Sequence, residues 1–301
     1  MIEMKNKKTA IPIVLLAGLL WSFGPLVVRY MNEPNVVPWQ YIFVRGLTIF
    51  LVINFYLFFE EGRNFYKNYF KIGISGIVGG VGLGIAMITF IYSITNTSTA
   101  ITLLCLAAMP FFTALLGFLF LKEKISINVW VSIFIATVGI VIIALGNIEK
   151  NSLMGLIFGI TSSIGFSVFS VSLRWKKETP KFTTVAFSGF FCFVFAALII
   201  INNDMPFLST SYNSALFSLH GTLVCIGLIL YSIGSRAIPA AELTLLSLME
   251  VICGIFWVWV PILGVNEIPS ANTIMGGFFL FISIIYYSLT INTNRRFIAL
   301  N

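Results

Sequence analysis

The segment LLSLMEVICGIFWVW, residues 245–259, holds one carboxylate, Glu250, among apolar and small residues. Arg45 and His220 lie comparably deep in other apolar runs. Placing a charge at the centre of a membrane costs roughly 2.5–3.5 kcal/mol even on the mildest scale. Each such group must therefore face a partner or a watered cavity. Glu250 can hold a substrate amine or carry a proton, or it can serve as a structural carboxyl bonded to a neighbouring helix. Arg45 keeps its proton. It can bind a substrate anion, join a structural pair, or snorkel to the headgroups. His220 reads either as a titratable gate or as a packed, satisfied ring. Ser163, Ser167 and Ser170 fall at i, i+4, i+7 and share one helix face. Their hydroxyls can line a cavity, and equally their small size allows close helix packing. Trp39, Trp130 and Trp259 read as an interfacial belt. Trp21 and Trp257 sit deeper and are candidate cavity walls. Glu242 can reach water or favour a helix N-terminus.

The elements that must position these groups follow from composition. Of 301 residues 58% are hydrophobic and only 10% are charged, and mean hydropathy is +1.00. Apolar runs of about 18 or more residues read as membrane-spanning helices. Ten can be drawn, at 10–31, 38–59, 71–94, 98–121, 127–146, 152–173, 182–201, 213–235, 240–262 and 270–291. The expectation is an all-α polytopic membrane protein of ten transmembrane helices. Its partner is the lipid bilayer, and its net charge of +7 does not point to nucleic acid. With the N-terminus inside, the inner segments collect Lys5, Lys7, Lys8, Arg63, Lys67, Lys71, Lys122, Lys124, Arg174, Lys176, Lys177, Lys181, Arg236, Arg295 and Arg296. The outer loops keep only Arg29 and Lys150. That asymmetry obeys the positive-inside rule. It places both termini in the cytoplasm and the chain in the cell (inner or plasma) membrane. The basic MIEMKNKKT is followed by too long an apolar run for a cleavable signal peptide. Cys105, Cys192, Cys225 and Cys253 all fall in apolar runs without C-x-x-C spacing, so neither disulfides nor a metal is indicated.

Two halves repeat. TLLCL at 102–106 and TLLSL at 244–248 open the fourth and ninth spans, and Glu123-x-x-Ser126 and Glu267-x-x-Ser270 follow them. Each serine can cap the next helix. Residues 1–147 and 148–301 then form two five-helix units. Five is odd, so the second unit is inverted in the bilayer, as in secondary transporters. An integral membrane enzyme would need ligands or a nucleophile that are missing: there is one His, no H-E-x-x-H and no G-x-S-x-G. GGVGLG at 79–84 does not complete a dinucleotide fingerprint and reads as close helix packing or a flexible gate. No cofactor is expected.

Three stretches resemble the EamA family of the drug/metabolite transporter superfamily: LLAGLLWSFGPLVVRY at 15–30, TNTSTAITLLCLAAMPFFTALLGFLFLKEKIS at 95–126, and SRAIPAAELTLLSLMEVICGIFWVWVPILGVNEIPS at 235–270. Arg45 and Glu250 match residues often found in that family. Val251 stands where Pro is common, and PILGVNE replaces a shorter FLGE. The resemblance implies a secondary carrier with a central cavity between the repeats. That cavity would be lined mainly by helices 3, 4, 8 and 9, with helices 1 and 6 as moving elements. It further implies transport of a small metabolite, amino-acid-like or cationic, most often outward. Glu250, Arg45, His220, Trp21, Trp257, Ser163 and Ser167 are its candidate binding residues. A proton as coupling ion and a homodimer are compatible with it, and so are a facilitative channel or an exchanger.

Overall fold

In the computed structural model the described residues are 7–33, 37–145, 153–176, 178–266 and 268–298, without the side chains of 143, 144 and 291–298. Lys5, Lys150, Lys177 and Glu267, together with the side chains of Arg295 and Arg296, lie outside the described residues. The described chain is helical: α1 (Lys7–Tyr30), α2 (Pro38–Glu61), α3 (Gly73–Asn96), α4 (Thr99–Leu121), α5 (Ile127–Leu145), α6 (Leu153–Trp175), α7 (Lys181–Asn202), α8 (Ser211–Gly234), α9 (Ala240–Trp259) and α10 (Ala271–Ile298). Nine of these are long and apolar enough to cross a membrane, and α5 contributes a shorter apolar helix over Ile127–Ile142. Large apolar side chains stand exposed around the periphery, among them Phe55, Phe59, Phe134, Leu198 and Phe278. Water would not tolerate so wide an apolar surface, and lipid does. The protein is a multi-pass membrane protein.

The last two spans end differently from the sequence reading. Helix α9 stops at Trp259 rather than 262, because Pro261 biases Val260 into an extended conformation and a short 3-10 turn, Pro261–Leu263, follows. Helix α10 runs on to Ile298. The expected serine caps form: Ser126 Oγ accepts from the Val129 N–H at 3.4 Å and Ser270 Oγ from the Thr273 N–H at 3.1 Å.

The most extensive packed pairs are α3 with α6, α2 with α7, α5 with α10, α4 with α6, α3 with α7, α1 with α8, α1 with α9, α2 with α8 and α4 with α9. Replacing each helix by the one five places away maps this set onto itself. Three of the crossings are so close that only glycine fits. A Cβ at Gly165 of α6 would lie 2.6 Å from Gly82 O of α3, one at Gly189 of α7 2.9 Å from Gly46 O of α2, and one at Gly139 of α5 2.6 Å from Gly276 O of α10. Backbone-to-backbone contact of this kind holds membrane helices together without a hydrophobic driving force. It also gives GGVGLG its use, since Gly82 is part of it.

Helices α1, α4 and α9 are each broken in mid-span. Pro25 removes the N–H that would bond Trp21 O, and the chain makes a turn at Ser22–Phe23. Pro110 does the same to Leu106 O, and α4 breaks at Ala108. Helix α9 breaks at Leu248 without a proline. There the hydroxyls of Thr244 and Ser247 bond back to the carbonyls of Ala241 (3.1 Å) and Thr244 (2.8 Å), competition that loosens a helix. Helix α1 crosses at this break: a Cβ at Gly18 would lie 3.3 Å from both Glu250 N and Ser247 O.

The two ends of the bundle are tied differently. At the basic end, Arg174 Nε of α6 bonds Glu123 Oε1 at 2.7 Å, and its Nη1 donates to Ser235 O and Ile238 O, both at 2.8 Å. Glu123 Oε2 also accepts from the Ala240 N–H at 3.3 Å. Of the two places the sequence allowed, Glu242 takes the helix N-terminus, in the first turn of α9, rather than open water. It is buried, pairs with Lys7 Nζ at 2.5 Å, and accepts from the Tyr287 hydroxyl. At the opposite end Asn213 closes a reciprocal pair with the Asn32 backbone at 3.0 Å, and the Tyr30 hydroxyl donates to Leu263 O. The Arg174 contacts join the end of α4, the end of α6 and the α8–α9 turn. Arg174→Gln is expected to cost about 1–3 kcal/mol of stability, the scale of hydrogen bonds to charged groups. Thermal melting in detergent reads this, and an unchanged midpoint would show that solvent replaces the network.

Candidate functional site

The helix breaks are not scattered. Trp21 precedes the α1 break, Leu106 and Met109 flank the α4 break, and Glu250 follows the α9 break by two residues. All four line a single cavity, whose void is about 500 Å³ when the space open to solvent is counted with it. Helix α2 adds Arg45; α3 adds Ala86, Met87 and Phe90; α6 adds Ser162 and Phe166; and α8 adds His220, Val224 and Leu228. Seven helices therefore supply walls, more than the four that the family resemblance emphasised, because α1, α2 and α6 also reach the centre.

Glu250 is 9% exposed. It occupies the first turn of the second half of α9, Met249–Trp259, where the exposed N–H groups and dipole of a helix start favour negative charge. So the break without a proline has a use: it turns a mid-membrane position into a helix N-terminus. Arg45 is 6% exposed, with its Cζ 5.9 Å from the Phe90 ring centroid. Among the described residues its Nε and Nη1 have no acceptor, and Arg45 and Glu250 face the cavity without forming an ion pair.

His220 is held from two sides. The Tyr41 hydroxyl bonds its Nδ1, and Tyr41 is itself stacked on Phe217 with centroids 4.6 Å apart. The ring abuts α1 so closely that a Cβ at Gly24 would lie 2.9 Å from Nε2. This glycine permits the kinked half of α1 to pass the histidine. Trp21 donates from Nε1 to Val224 O at 3.2 Å, and its ring packs against Phe166 and Tyr231, each at 5.4 Å.

The other candidates are placed elsewhere. Ser163 Oγ donates to Cys105 O, and Ser167 Oγ to Met109 O at 3.2 Å. Both are fully buried and satisfy carbonyls on either side of the α4 break. In a membrane a proline-kinked helix needs such donors from its neighbours. Ser170 bonds Tyr231 at 2.7 Å. Trp257 lies outside the cavity, stacked on Phe23 at 5.1 Å with its Nε1 donating to Ser22 Oγ at 2.8 Å. It ties the second half of α9 to the α1 break. Sequence reasoning did not select Tyr41, Phe90, Ser162 or Phe166. Their apolar neighbours carry no signal of which face turns inward. No cluster of three potential metal ligands occurs among the described residues.

A membrane bundle whose broken helices meet at a cavity holding buried charge has an arrangement found in membrane transporters. Comparison with known proteins agrees. Residues 8–145, just under half of the chain, match the EamA-like transporter family. It is 30% identical over 203 residues to an uncharacterized transporter of Helicobacter pylori strain J99, and 29% identical over 203 residues to one of strain 26695. Each match covers 66% of this chain and 66% of the relative, so just under two thirds of the relatives' length is accounted for. A protein of solved crystal structure shares the fold, with a TM-score of 0.68 at 16% identity over 95% of this chain and 98% of its own.

Proposed function

We propose that the chain is a secondary carrier that exports a small metabolite across the cytoplasmic membrane by alternating access, with a proton as coupling ion and both termini in the cytoplasm. The observation that carries this reading is the convergence of three broken helices on one cavity that holds Arg45 and Glu250. A broken helix gives two half-helices that can tilt independently about a fixed site. The exchange symmetry of the packed pairs supports residues 1–147 and 148–301 acting as two inverted units that rock against each other. Amino-acid-like or cationic compounds are the favoured cargo, with Glu250 meeting a positive group.

The test is accessibility. In a chain with Cys105, Cys192, Cys225 and Cys253 replaced by Ala, Met87→Cys places one thiol on the cavity wall. An impermeant maleimide is expected to label it in right-side-out and in inverted vesicles alike, while the protein carries no ionic current. Labelling from one face alone would remove alternating access, and a steady conductance would favour a channel.

A further inference from the structure

We propose that the basic end of the bundle holds a phosphate site at the start of α7, separate from the central cavity, whose ligand is a phosphoethanolamine group. A cleft opens there between the end of α2, the α2–α3 connection, the α6–α7 connection and the α8–α9 turn. Lys181, Phe182, Thr183 and Arg236 line it, together with Glu61 and Glu178. Pro180 precedes the first turn of α7, and neither a side-chain cap nor an acidic residue serves that turn. The N–H groups of a helix start have no partner inside the helix and carry its positive dipole end. Thr183 points to a ligand independently. It lines the cleft, is 1% exposed, and among the described residues its hydroxyl has no hydrogen-bond partner. A buried hydroxyl left so costs free energy that an acceptor oxygen in the cleft would recover.

The cations line the same cleft. Lys181 Nζ donates to Leu173 O and to Ser235 Oγ, which spends two of its three donors. Arg236 stands with its Cζ 5.7 Å from the Phe182 ring centroid. Backbone N–H, hydroxyl, ammonium and guanidinium donors together suit the several oxygens of a phosphate, an anion that helix starts commonly hold. The carboxylates set the rest of the ligand. Glu61 and Glu178 are exposed at the rim, so a bare phosphate would meet like charge on entry. An ammonium on a short arm turns that repulsion into attraction. Such a group has two sources, a lipid headgroup and a free phosphomonoester. Phe59 and Phe70 each lie two residues from a lining residue, Glu61 or Asn68, and are 69% and 87% exposed. They offer an apolar seat to lipid chains next to the cleft.

The experiment uses the full chain, stripped of lipid in detergent. It is titrated with phosphatidylethanolamine, phosphatidylglycerol and phosphatidylcholine of identical acyl chains, and with soluble O-phosphoethanolamine and inorganic phosphate. Native mass spectrometry reads bound lipid, and thermal melting reads the soluble probes. Phosphatidylglycerol keeps the phosphate without a cation, and phosphatidylcholine keeps a cation without N–H donors. Phosphatidylethanolamine is expected to bind about 10-fold tighter than either, the worth of one charged hydrogen bond. Thr183→Val deletes a hydroxyl that bonds nothing in the ligand-free chain, so the fold loses no hydrogen bond. It should weaken phosphatidylethanolamine binding about 3- to 10-fold. Glu178→Gln, on the exposed rim, should narrow the preference over phosphatidylglycerol. If O-phosphoethanolamine raises the melting midpoint and displaces the lipid, the ligand is the free phosphomonoester; if only the lipid binds, it is the headgroup. Either result upholds the site. Equal binding of the three lipids overturns it. So does inorganic phosphate raising the midpoint as far as O-phosphoethanolamine, and so does undiminished phosphatidylethanolamine binding in Thr183→Val. These readouts do not involve transport, so their failure leaves the carrier reading untouched.

Discussion

Glu250→Gln is expected to leave the chain folded and inserted while lowering saturable flux by about 10- to 100-fold. The substitution keeps the shape of the side chain and its seat in the first turn of Met249–Trp259, so the packing of α1 across the α9 break is untouched. What it removes is charge. A hydrogen bond to a charged group is worth about 1.5–3 kcal/mol, and every 1.4 kcal/mol is tenfold in binding. The loss should appear in flux at limiting substrate, with monodispersity and thermal midpoint close to wild type. Because the amide cannot take up a proton as the carboxylate can, proton-driven accumulation should also disappear, even at substrate concentrations high enough to restore exchange. Wild-type accumulation by this variant at equal expression would remove Glu250 from the coupling role. Restored exchange without accumulation would separate its two tasks, holding an amine and carrying a proton.

The sequence revealed the charged centre because burial makes charge expensive. Glu250, Arg45 and His220 stood out against hydrocarbon, and the folded chain brings these three and Trp21 to one cavity. Hydroxyls and indoles send a weaker signal. Ser163 and Ser167 share a face, but a helix face can look toward a cavity or toward a neighbour's backbone carbonyls, and periodicity is the same in both cases. Only the seat of α6 against the α4 break decides it, and that is a contact between residues nearly sixty apart. Trp257 is similar: its depth was legible, while its partner Ser22 lies 235 residues away. Two of the three helix breaks had a proline to mark them, Pro25 and Pro110. The third did not, because at Leu248 the ladder is loosened by Thr244 and Ser247 hydroxyls, which are common in membrane helices without such a consequence. For Glu242 the helix N-terminus was legible, while its partners were not, since Lys7 and Tyr287 come from distant helices.

Gly165→Leu is expected to be the most damaging single substitution in the bundle. At the α3–α6 crossing a Cβ at this position would sit 2.6 Å from Gly82 O, 3.0 Å from Ala86 N and 3.2 Å from Ala86 Cβ. Two of these obstacles are backbone, which cannot change rotamer to make room. The helices must separate, and the separation pulls Ser162 from Ala86 O and opens the wall between Ala86 and Phe166. Overpacking costs about 1–3 kcal/mol where side chains can shift. Here they cannot, so the expected outcome is loss of most monodisperse protein in detergent, with Gly165→Ala an intermediate case. Gly277→Leu is the control. It lies on α10 with nothing within 4 Å of its added Cβ, and the same substitution there should leave yield and melting unchanged. Equal tolerance at both positions would mean that the α3–α6 crossing is not fixed by glycine contact. The cavity wall would then be deformable, and its shape here would set no limit on the size of the cargo. If only Gly165→Leu fails, the crossing is rigid, and the half-helices of α1, α4 and α9 are left as the parts free to move around the bound ligand.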